Sequence, residues 1–335
     1  MVTIKDIARE SGYSVSTVSR VLNNRRDVSP VAKKKIEQVV ADYNFVPNNN
    51  AKHLKQMGSK TVVILVKGNG NMLFANIVEE IQCMVQRTRY TPVVTYLDES
   101  EDEVQQAIRI SRENKPMGIL FLGGAPDNFK REFGQVGIPS VLVTNQGKNF
   151  GVDNLASVAT DDVAAAECAV DYLLENGHKK IGIIGGDLSF SYTSRQRYKG
   201  CIQSFEKHRI AFDEVHSYSG ARFSFEGAYQ AMVNLIGKKP DITAVFAMSD
   251  VMAIGAIRAL KDMGKKVPED ISVIGFDGIT LADYYNPKLT TIRQKYKLLA
   301  RRSVEILFHM VDFADEPVHE VISFELVTGE SVRTI

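Results

Sequence analysis

The stretch Thr3–Asn23, TIKDIARESGYSVSTVSRVLN, decides the fold of the N-terminal part of this 335-residue chain. Ile4, Ile7 and Ala8 recur at the spacing of one helical face. Gly12 interrupts the pattern where a tight turn needs a left-handed residue. The stretch therefore predicts two short helices joined by a turn at Gly12.

A third helix follows, with Ser29 as its cap and Pro30 in its first turn, and runs to about Tyr43. Ser14 is the expected cap of the second helix. The apolar positions predict which side chains pack between the helices: Val18, Val21 and Leu22 in the second helix, and Val31, Ile36, Val39 and Val40 in the third.

The outward residues of the second helix suit the major groove of DNA, where the second helix of a helix-turn-helix places its N-terminal residues. Arg20 can donate two hydrogen bonds to guanine, Ser16 can donate or accept, and Val15 can contact a thymine methyl group. Phosphate contacts are expected from Thr17, Ser19, Arg25, Lys33 and Lys34. On pattern alone, a small three-helix bundle with polar outer faces remains an alternative.

The charge distribution favours a polyanionic partner for this segment. Residues 1–60 carry eleven Lys/Arg and five Asp/Glu, whereas the remaining residues carry thirty and thirty-five. The net charge of +1 thus combines a basic N-terminal part with a mildly acidic body.

From Thr61 onward, short apolar runs alternate with helical patterns, which predicts parallel sheets covered by helices on both faces. The number of units exceeds one small sheet and predicts two doubly wound α/β lobes. The predicted strands are Thr61–Val66, Pro92–Tyr96, Gly118–Leu122, Ser140–Val143, Ile181–Ile184, Ala244–Ala247 and Ile271–Ile274. The predicted helices are Phe74–Arg87, Asp102–Glu113, Val163–Asn176, Arg195–Lys207, Phe225–Ile236 and Asp250–Met263.

Composition excludes several other classes of protein. The chain contains no apolar run long enough to cross a membrane and no secretory signal at its N-terminus, so we expect a cytoplasmic protein without a membrane partner. Cys83, Cys168 and Cys201 are few and far apart, which predicts three buried thiols rather than a disulfide framework or a metal site.

The quoted stretch resembles the head of the LacI/GalR family of bacterial transcription regulators. The resemblance continues through Tyr43–Asn48, YNFVPN, and Ala51–Lys55, AKHLK. It implies a dimer on a near-palindromic operator, with a hinge helix at 48–58 from which Leu54 enters a base step in the minor groove. Further contacts to the DNA backbone are expected from Thr3, Ser14, Asn23, Tyr43, Asn48, Ala51 and Lys55.

The body also resembles this family, in the segments Gly177–Ile181, Arg197–Gly200, Val267–Asp277 and Pro287–Ile292. The resemblance implies a periplasmic-binding-protein-like body joined to the helix-turn-helix head (residues 1–47). One lobe would comprise about 59–159 and 290–319, and the other 160–289 and 320–335, with the effector in the cleft between them. The effector-binding residues it implies are Asn71, Phe74, Asn145, Asp161, Arg197, Phe223, Ser249 and Asp277.

Five of these positions have a second interpretation. Phe74 and Phe223 can be core residues, because Phe is more often buried in a core than stacked on a ligand. Asp161 equally suits the N-cap of the following helix, and Arg197 with Asp277 equally suits a structural ion pair. The residue pattern alone favours the ion pair.

The function predicted from the sequence is a DNA-binding repressor of a carbohydrate-utilisation operon, with no cofactor and with a sugar or sugar phosphate as effector, located in the cytoplasm and on the nucleoid when bound. A corepressor-dependent regulator that senses a purine is the alternative. No complete nucleotide-binding, hydrolase or metalloprotease motif occurs in the sequence, and a solute-binding protein would not need residues 1–58.

Overall fold

A computed structural model of the protein describes residues 4–22, 29–43, 60–68 and 70–335. The chain divides into two compact units, Met1–Gly58 and Ser59–Ile335. The predicted hinge helix at 48–58, including Leu54, lies outside the described residues. Among the described residues, no helix is both long and apolar enough to span a bilayer.

The first unit contains the three predicted helices, α1 (Ile4–Ser11), α2 (Val15–Leu22) and α3 (Pro30–Asp42). Gly12 has a φ of 74°, so the turn uses the left-handed conformation predicted for it. The hydroxyl oxygens of Ser14 and Ser29 accept hydrogen bonds from the first turns of α2 and α3, which confirms both caps.

The core of this unit is small and, for the side chains that the structure describes, follows the predicted apolar faces except at Val31; the side chains of Ile4 and Leu22 lie outside the described part. Ile7, Val18 and Ile36 are fully buried where the three helices meet. The placement of Val31 in this core was wrong: its side chain is 75% exposed, and the neighbouring Ala32 is buried instead. One residue along a helix turns the side chain by about 100°, so an apolar residue just outside the stripe faces solvent.

The second unit contains two parallel-sheet lobes. Within the described ranges, each sheet has six strands. The first sheet, with order β11-β5-β4-β3-β1-β2, has these strands: β1 (Thr61–Lys67), β2 (Thr91–Leu97), β3 (Gly118–Leu122), β4 (Ser140–Val143), β5 (Leu155–Thr160) and β11 (His319–Ile322). The second sheet, with order β12-β10-β9-β8-β6-β7, has these: β6 (Ile181–Gly185), β7 (Tyr218–Gly220), β8 (Ala244–Ala247), β9 (Ser272–Asp277), β10 (Thr290–Gln294) and β12 (Phe324–Val327).

Helices cover both faces of each sheet, as the strand composition predicts. On β1, Val63 and Leu65 pack toward the helix Glu103–Glu113, while Val62 and Ile64 pack toward the helices Met72–Gln86 and Tyr296–Phe313. The helices are α4 (Met72–Gln86), α5 (Glu103–Glu113), α6 (Pro126–Glu132), α7 (Asp162–Glu175), α8 (Tyr192–Lys207), α9 (Glu214–Ser217), α10 (Phe225–Lys238), α11 (Asp250–Asp262), α12 (Thr280–Tyr284) and α13 (Tyr296–Phe313), with short 3-10 turns at Phe133–Gln135 and Lys148–Phe150.

The two lobes share one strand order, and the chain crosses between them three times. In the register of β1, Val63 lies between Val93 and Ile119, and all pairs are parallel except β10 with β12. The crossings lie after β5, after β10 and after β11. Thr290–Gln294 therefore belongs to the second sheet and His319–Ile322 to the first, so these crossings lie a few residues later than the expected 290 and 319.

The predicted segments are all present, but β5, β7, β10, β11 and β12 were not predicted as strands. β7, β11 and β12 have only three or four residues, and β5 and β10 lie next to the crossings between the lobes. The prediction of three buried thiols is confirmed for Cys201 alone, since Cys168 is half-buried and Cys83 is exposed on α4.

The close approach of α7 and α8 depends on Gly200. A β-carbon at this position would lie 2.1 Å from the Val163 carbonyl oxygen, whereas one at Gly237, on α10, would meet nothing within 4 Å. We expect Gly200→Ala to lower the free energy of unfolding by about 1–3 kcal/mol through overpacking. The matched variant Gly237→Ala should raise it by about 0.5–1 kcal/mol. Urea unfolding of both variants checks this, and equal effects would contradict it.

Candidate functional site

The first unit presents a polar outer face along α2 and α3. Arg20 is exposed in the last turn of α2. The Ser14 and Thr17 hydroxyls lie 2.9 Å apart at the beginning of that helix. Exposed Lys33, whose Nζ lies 3.8 Å from a Glu37 carboxylate oxygen, and exposed Lys34 lie on α3. Tyr43 follows α3 and is 45% exposed. Cations and hydroxyls on this face fit contacts to phosphates and base edges.

The second unit contains a cavity of about 770 Å³ between its lobes. It lies at the carboxyl ends of β1 to β4 in one lobe and of β6, β7 and β10 in the other, because the lining residues follow these strands. Ligands of open α/β sheets bind at this edge. Residues predicted to bind effector that line it are Asn71, Phe74, Asn145, Arg197 and Phe223.

Arg197 forms the centre of a buried polar cluster under the cavity. Its Nε donates to Asp162 at 2.8 Å, and its Nη2 lies 3.8 Å from Asp277. Its Nη1 donates to the Met248 carbonyl oxygen, and its guanidinium carbon lies 3.6 Å from the centre of the Phe276 ring. The side chain is 4% exposed. Arg197 thus lines the cavity, but most of its donor groups bind the protein, as the structural ion pair requires.

The carboxylates of this cluster outnumber the guanidinium. Burial raises the pKa of Asp162 and of Asp277, the latter to about 6, although Arg197 opposes both shifts. Burial and the nearby charge of Asp277 raise the pKa of Asp250 well above its usual value. Thr291 Oγ1 donates to Asp250 at 2.5 Å. The net charge of this cluster beneath the cleft therefore depends on the protonation of its three carboxyl groups.

Several contacts between described residues join the lobes across the cleft, and we call three of them the cross-cleft contacts. Asn71 Nδ2 donates to Asp277 at 3.3 Å, and Thr193 Oγ1 donates to Asn145 at 3.3 Å. Arg222 Nη1 lies 3.4 Å from Asp98 Oδ2 at the exposed rim. Each contact breaks if the lobes separate, so together they favour a closed arrangement.

Sequence reasoning missed Glu103, which holds one wall of the cavity. Its carboxylate is 1% exposed and accepts hydrogen bonds from Lys67 at 2.5 Å, from the Ala125 backbone at 2.6 Å and from Asn128 at 3.1 Å. Lys67 and Asn128 both line the cavity. A buried glutamate in a helix's first turn is visible in sequence only as one more exposed charge, so no pattern identifies it.

Comparison with known proteins identifies the families that the first unit and the cleft-containing second unit match. Residues 3–48 match the model described as bacterial regulatory proteins, lacI family, and residues 170–332 match that of the periplasmic binding protein-like domain. The HTH-type transcriptional regulator MalR of Clostridium butyricum is 36% identical to this chain over 99% of both.

The chain belongs to the LacI family of bacterial transcriptional regulators. The HTH-type transcriptional repressor PurR of Haemophilus influenzae is 32% identical over the full length of both chains. A solved complex of the regulator CelR with cellobiose superposes with a TM-score of 0.72 at 26% identity, covering 99% of this chain and 100% of that one. As a LacI-family member, this protein is a DNA-binding transcriptional regulator controlled by a small-molecule effector, and it is not an enzyme.

Not every residue implied by the LacI resemblance lies at the cavity. Asp161 caps α7 through the Val163 and Ala164 backbone, and Ser249 caps α11 through Met252. Neither lines the cavity, so for these two residues the structure shows the capping role. Asp277 is fully buried and lies behind Arg197 rather than on the cavity surface.

Several DNA-contact predictions of the LacI-type head concern positions whose structure is not described. Val15, Ser16 and Ser19 lie on α2, but their side chains fall outside the described part of the chain. The remaining predictions outside the described residues are Thr3, Asn23, Arg25, Asn48, Ala51, Leu54 and Lys55.

The raised pKa of Asp277 predicts a pH-dependent contribution to stability. Since its folded pKa of about 6 exceeds its ordinary value of 3.8, the folded protein binds this proton more tightly. Stability from this group is present below about pH 4 and decreases as the pH rises through 6. Asp277→Asn removes the titration. The free energy of unfolding of the wild type minus that of Asp277→Asn should therefore fall by about 2–3 kcal/mol between pH 4 and 7. A constant difference in denaturant unfolding across this range would contradict the assignment.

Proposed function

We propose that this protein is a dimeric repressor of a carbohydrate-utilisation operon that binds a near-palindromic operator and responds to a sugar or sugar phosphate in the cleft. The observation that carries the proposal is the cavity of about 770 Å³, lined by both lobes at the carboxyl ends of their strands. A ligand there contacts both lobes at once, so its binding energy depends on how far they are closed.

The operator contacts proposed for the head follow the sequence. Arg20, Val15 and Ser16 read bases in the major groove, and Leu54 enters the minor groove. The hydroxyls and lysines of the outer face contact phosphates. Two-fold symmetry of a dimer matches a near-palindrome, and binding to the chromosome places the protein in the cytoplasm and on the nucleoid.

For an effector to control DNA binding, ligand binding and DNA binding must both depend on the same equilibrium between two conformations. Lobe closure, held by the cross-cleft contacts, is that element. An effector that prefers one degree of closure shifts the equilibrium and with it the affinity for operator. The solved complex of the regulator CelR with cellobiose supports a sugar as the effector, and a purine is the alternative.

Selection of duplexes from a randomised DNA library by the full-length protein tests this function. We expect recovery of a near-palindrome, followed by weaker binding in a gel shift when a sugar is added. Stronger binding with hypoxanthine or guanine would instead establish the corepressor alternative. Failure to enrich any sequence would overturn the proposed function.

A further inference from the structure

The proposed function leaves the kind of sugar open, and the cleft narrows it through its size, its charges and its aromatic rings. This inference rests on the proposed function. We infer that the cleft binds an uncharged sugar of at least two rings, and that Phe190 stacks on the outer ring. The observation that supports an outer sugar ring is the position of Phe190, which is 79% exposed and forms part of the cavity lining.

The size of the cavity exceeds what one sugar ring fills. Its volume of about 770 Å³ lies in the upper part of the range of roughly 300–1,000 Å³ that encloses drug-sized ligands. A disaccharide belongs to that size class, whereas a monosaccharide or a free purine base is about half as large. The cavity extends to a rim formed by the segment before α8, where Phe190 lies.

The cations around the cavity already have partners, which disfavours a phosphorylated ligand. Lys67 Nζ lies 2.5 Å from Glu103, and Arg222 lies 3.4 Å from Asp98. Arg197 is shared between two carboxylates and a backbone carbonyl oxygen, as described above. A phosphate that recruited any of these groups would leave a carboxylate without its cation.

The other charged residues of the lining also disfavour a phosphorylated ligand. Arg195 donates hydrogen bonds to the carbonyl oxygens of Leu188 at 3.2 Å and Ser189 at 3.1 Å. Three further carboxylates line the cavity: Glu99, Asp127 and Asp187. The lining itself contains four cations and three carboxylates. Lys67, Arg197 and Arg222 are neutralised by carboxylates behind the lining, so the local balance at the cavity is Arg195 against these three acids and is negative. Such a surface repels anions but accepts hydrogen bonds from sugar hydroxyl groups.

Aromatic rings line the cavity from both lobes. Phe74 contributes from the first lobe, and Phe190, Tyr192 and Phe223 contribute from the second. The face of an aromatic ring carries negative charge density, which attracts the weakly positive C–H bonds on the flat face of a sugar ring. Phe74 and Phe223 are partly buried and suit an inner ring. Phe190 is far more exposed, and its place in the cavity lining distinguishes it from exposed aromatic residues elsewhere, because a ligand that reaches the rim would cover its ring.

Calorimetric titration of the full-length protein tests the inference with maltose, cellobiose, lactose, sucrose, trehalose and maltotriose. Glucose, hypoxanthine and trehalose 6-phosphate are the comparison ligands. We expect at least one neutral di- or trisaccharide to bind, at least about tenfold more tightly than glucose, hypoxanthine or trehalose 6-phosphate. If no neutral sugar of two or three rings binds, or if the phosphorylated sugar or purine binds more tightly, the inference is overturned.

Variants of the exposed aromatic residues test the role of Phe190. Phe190→Ala should weaken binding of the best disaccharide about 5- to 10-fold and leave glucose binding unchanged, while Phe190→Tyr should retain the affinity. Phe313→Ala is the matched control, because Phe313 is 71% exposed at the end of α13 and lies away from the cavity lining. Equal effects of Phe190→Ala on disaccharide and glucose would show that the ring does not contact a second sugar.

Operator binding, measured on the same preparations, separates this inference from the proposed function. A protein that binds its selected duplex and responds to a purine or a sugar phosphate would overturn the inference and leave the regulator intact. A protein that selects no duplex would overturn the proposed function, whatever sugar it binds.

Discussion

Replacement of Arg197 by leucine is expected to lower the free energy of unfolding by about 3–5 kcal/mol, the usual result of removing one partner from a buried charge pair. Arg197 is 4% exposed, and its guanidinium lies between Asp162 and Asp277, both of which are buried. Without it, two carboxylates lose their cation and the Phe276 ring loses its cationic neighbour. Denaturant unfolding of the full-length protein at pH 7.5 measures the effect.

The pH dependence of this loss of stability shows whether it arises from the lost ion pairs. Loss of Arg197 removes the interaction that opposes the rise of both carboxyl pKa values, so the variant's deficit should shrink at pH 5, where the carboxyls bind protons more readily. Arg195→Leu is the matched control, because Arg195 lies on the same helix and, within the described ranges, donates its hydrogen bonds to backbone carbonyl oxygens rather than to carboxylates. Its effect should stay below about 1 kcal/mol. A loss at Arg197 no larger than that of the control would mean that the cluster is not an ion-pair centre.

Replacement of Arg20 by alanine is expected to weaken binding to the selected operator about 10- to 100-fold, since one bidentate contact to a base contributes about 1–3 kcal/mol of discrimination. Arg20 is exposed on α2, the helix that the helix-turn-helix arrangement places in the major groove. Affinity for random duplex should change far less. Fluorescence anisotropy with selected and scrambled duplexes measures both quantities.

Two variants separate base reading from general charge loss. Arg9→Ala removes an exposed arginine of α1 that is 3.5 Å from Glu10, and it should leave the operator preference unchanged. Lys34→Ala should lower affinity for both duplexes alike and reduce the salt dependence by about one unit of log–log slope. If Arg20→Ala also weakens both duplexes equally, Arg20 contacts phosphate rather than a base.

The head was predictable because few residues determine it. Gly12 sets the turn through its positive φ, Ser14 and Ser29 cap two helices, and apolar spacing defines the core. The error at Val31 shows the limit of spacing, because two adjacent small apolar residues compete for one buried position, and only the helix rotation decides between them.

The cleft was predictable in position but less so in its residues. Asn71, Asp161 and Ser249 all follow strands and begin helices, so each can cap a helix, contact a ligand or do both. Sequence cannot separate these roles, because the backbone N–H groups and the ligand compete for the same side-chain oxygen. In the structure, Asn71 caps a helix and also lines the cavity, whereas the other two only cap.

The crossings between the lobes have a consequence for the order of synthesis. The first sheet is incomplete until His319–Ile322 is made, and the second until Phe324–Val327 is made. During synthesis on the ribosome, the earlier strands of both sheets therefore lack their edge strands until residues 319–327 are made. Both sheets receive their last edge strand from the short segment 319–327, and a chain that lacks this segment would lack an edge strand in both lobes at once.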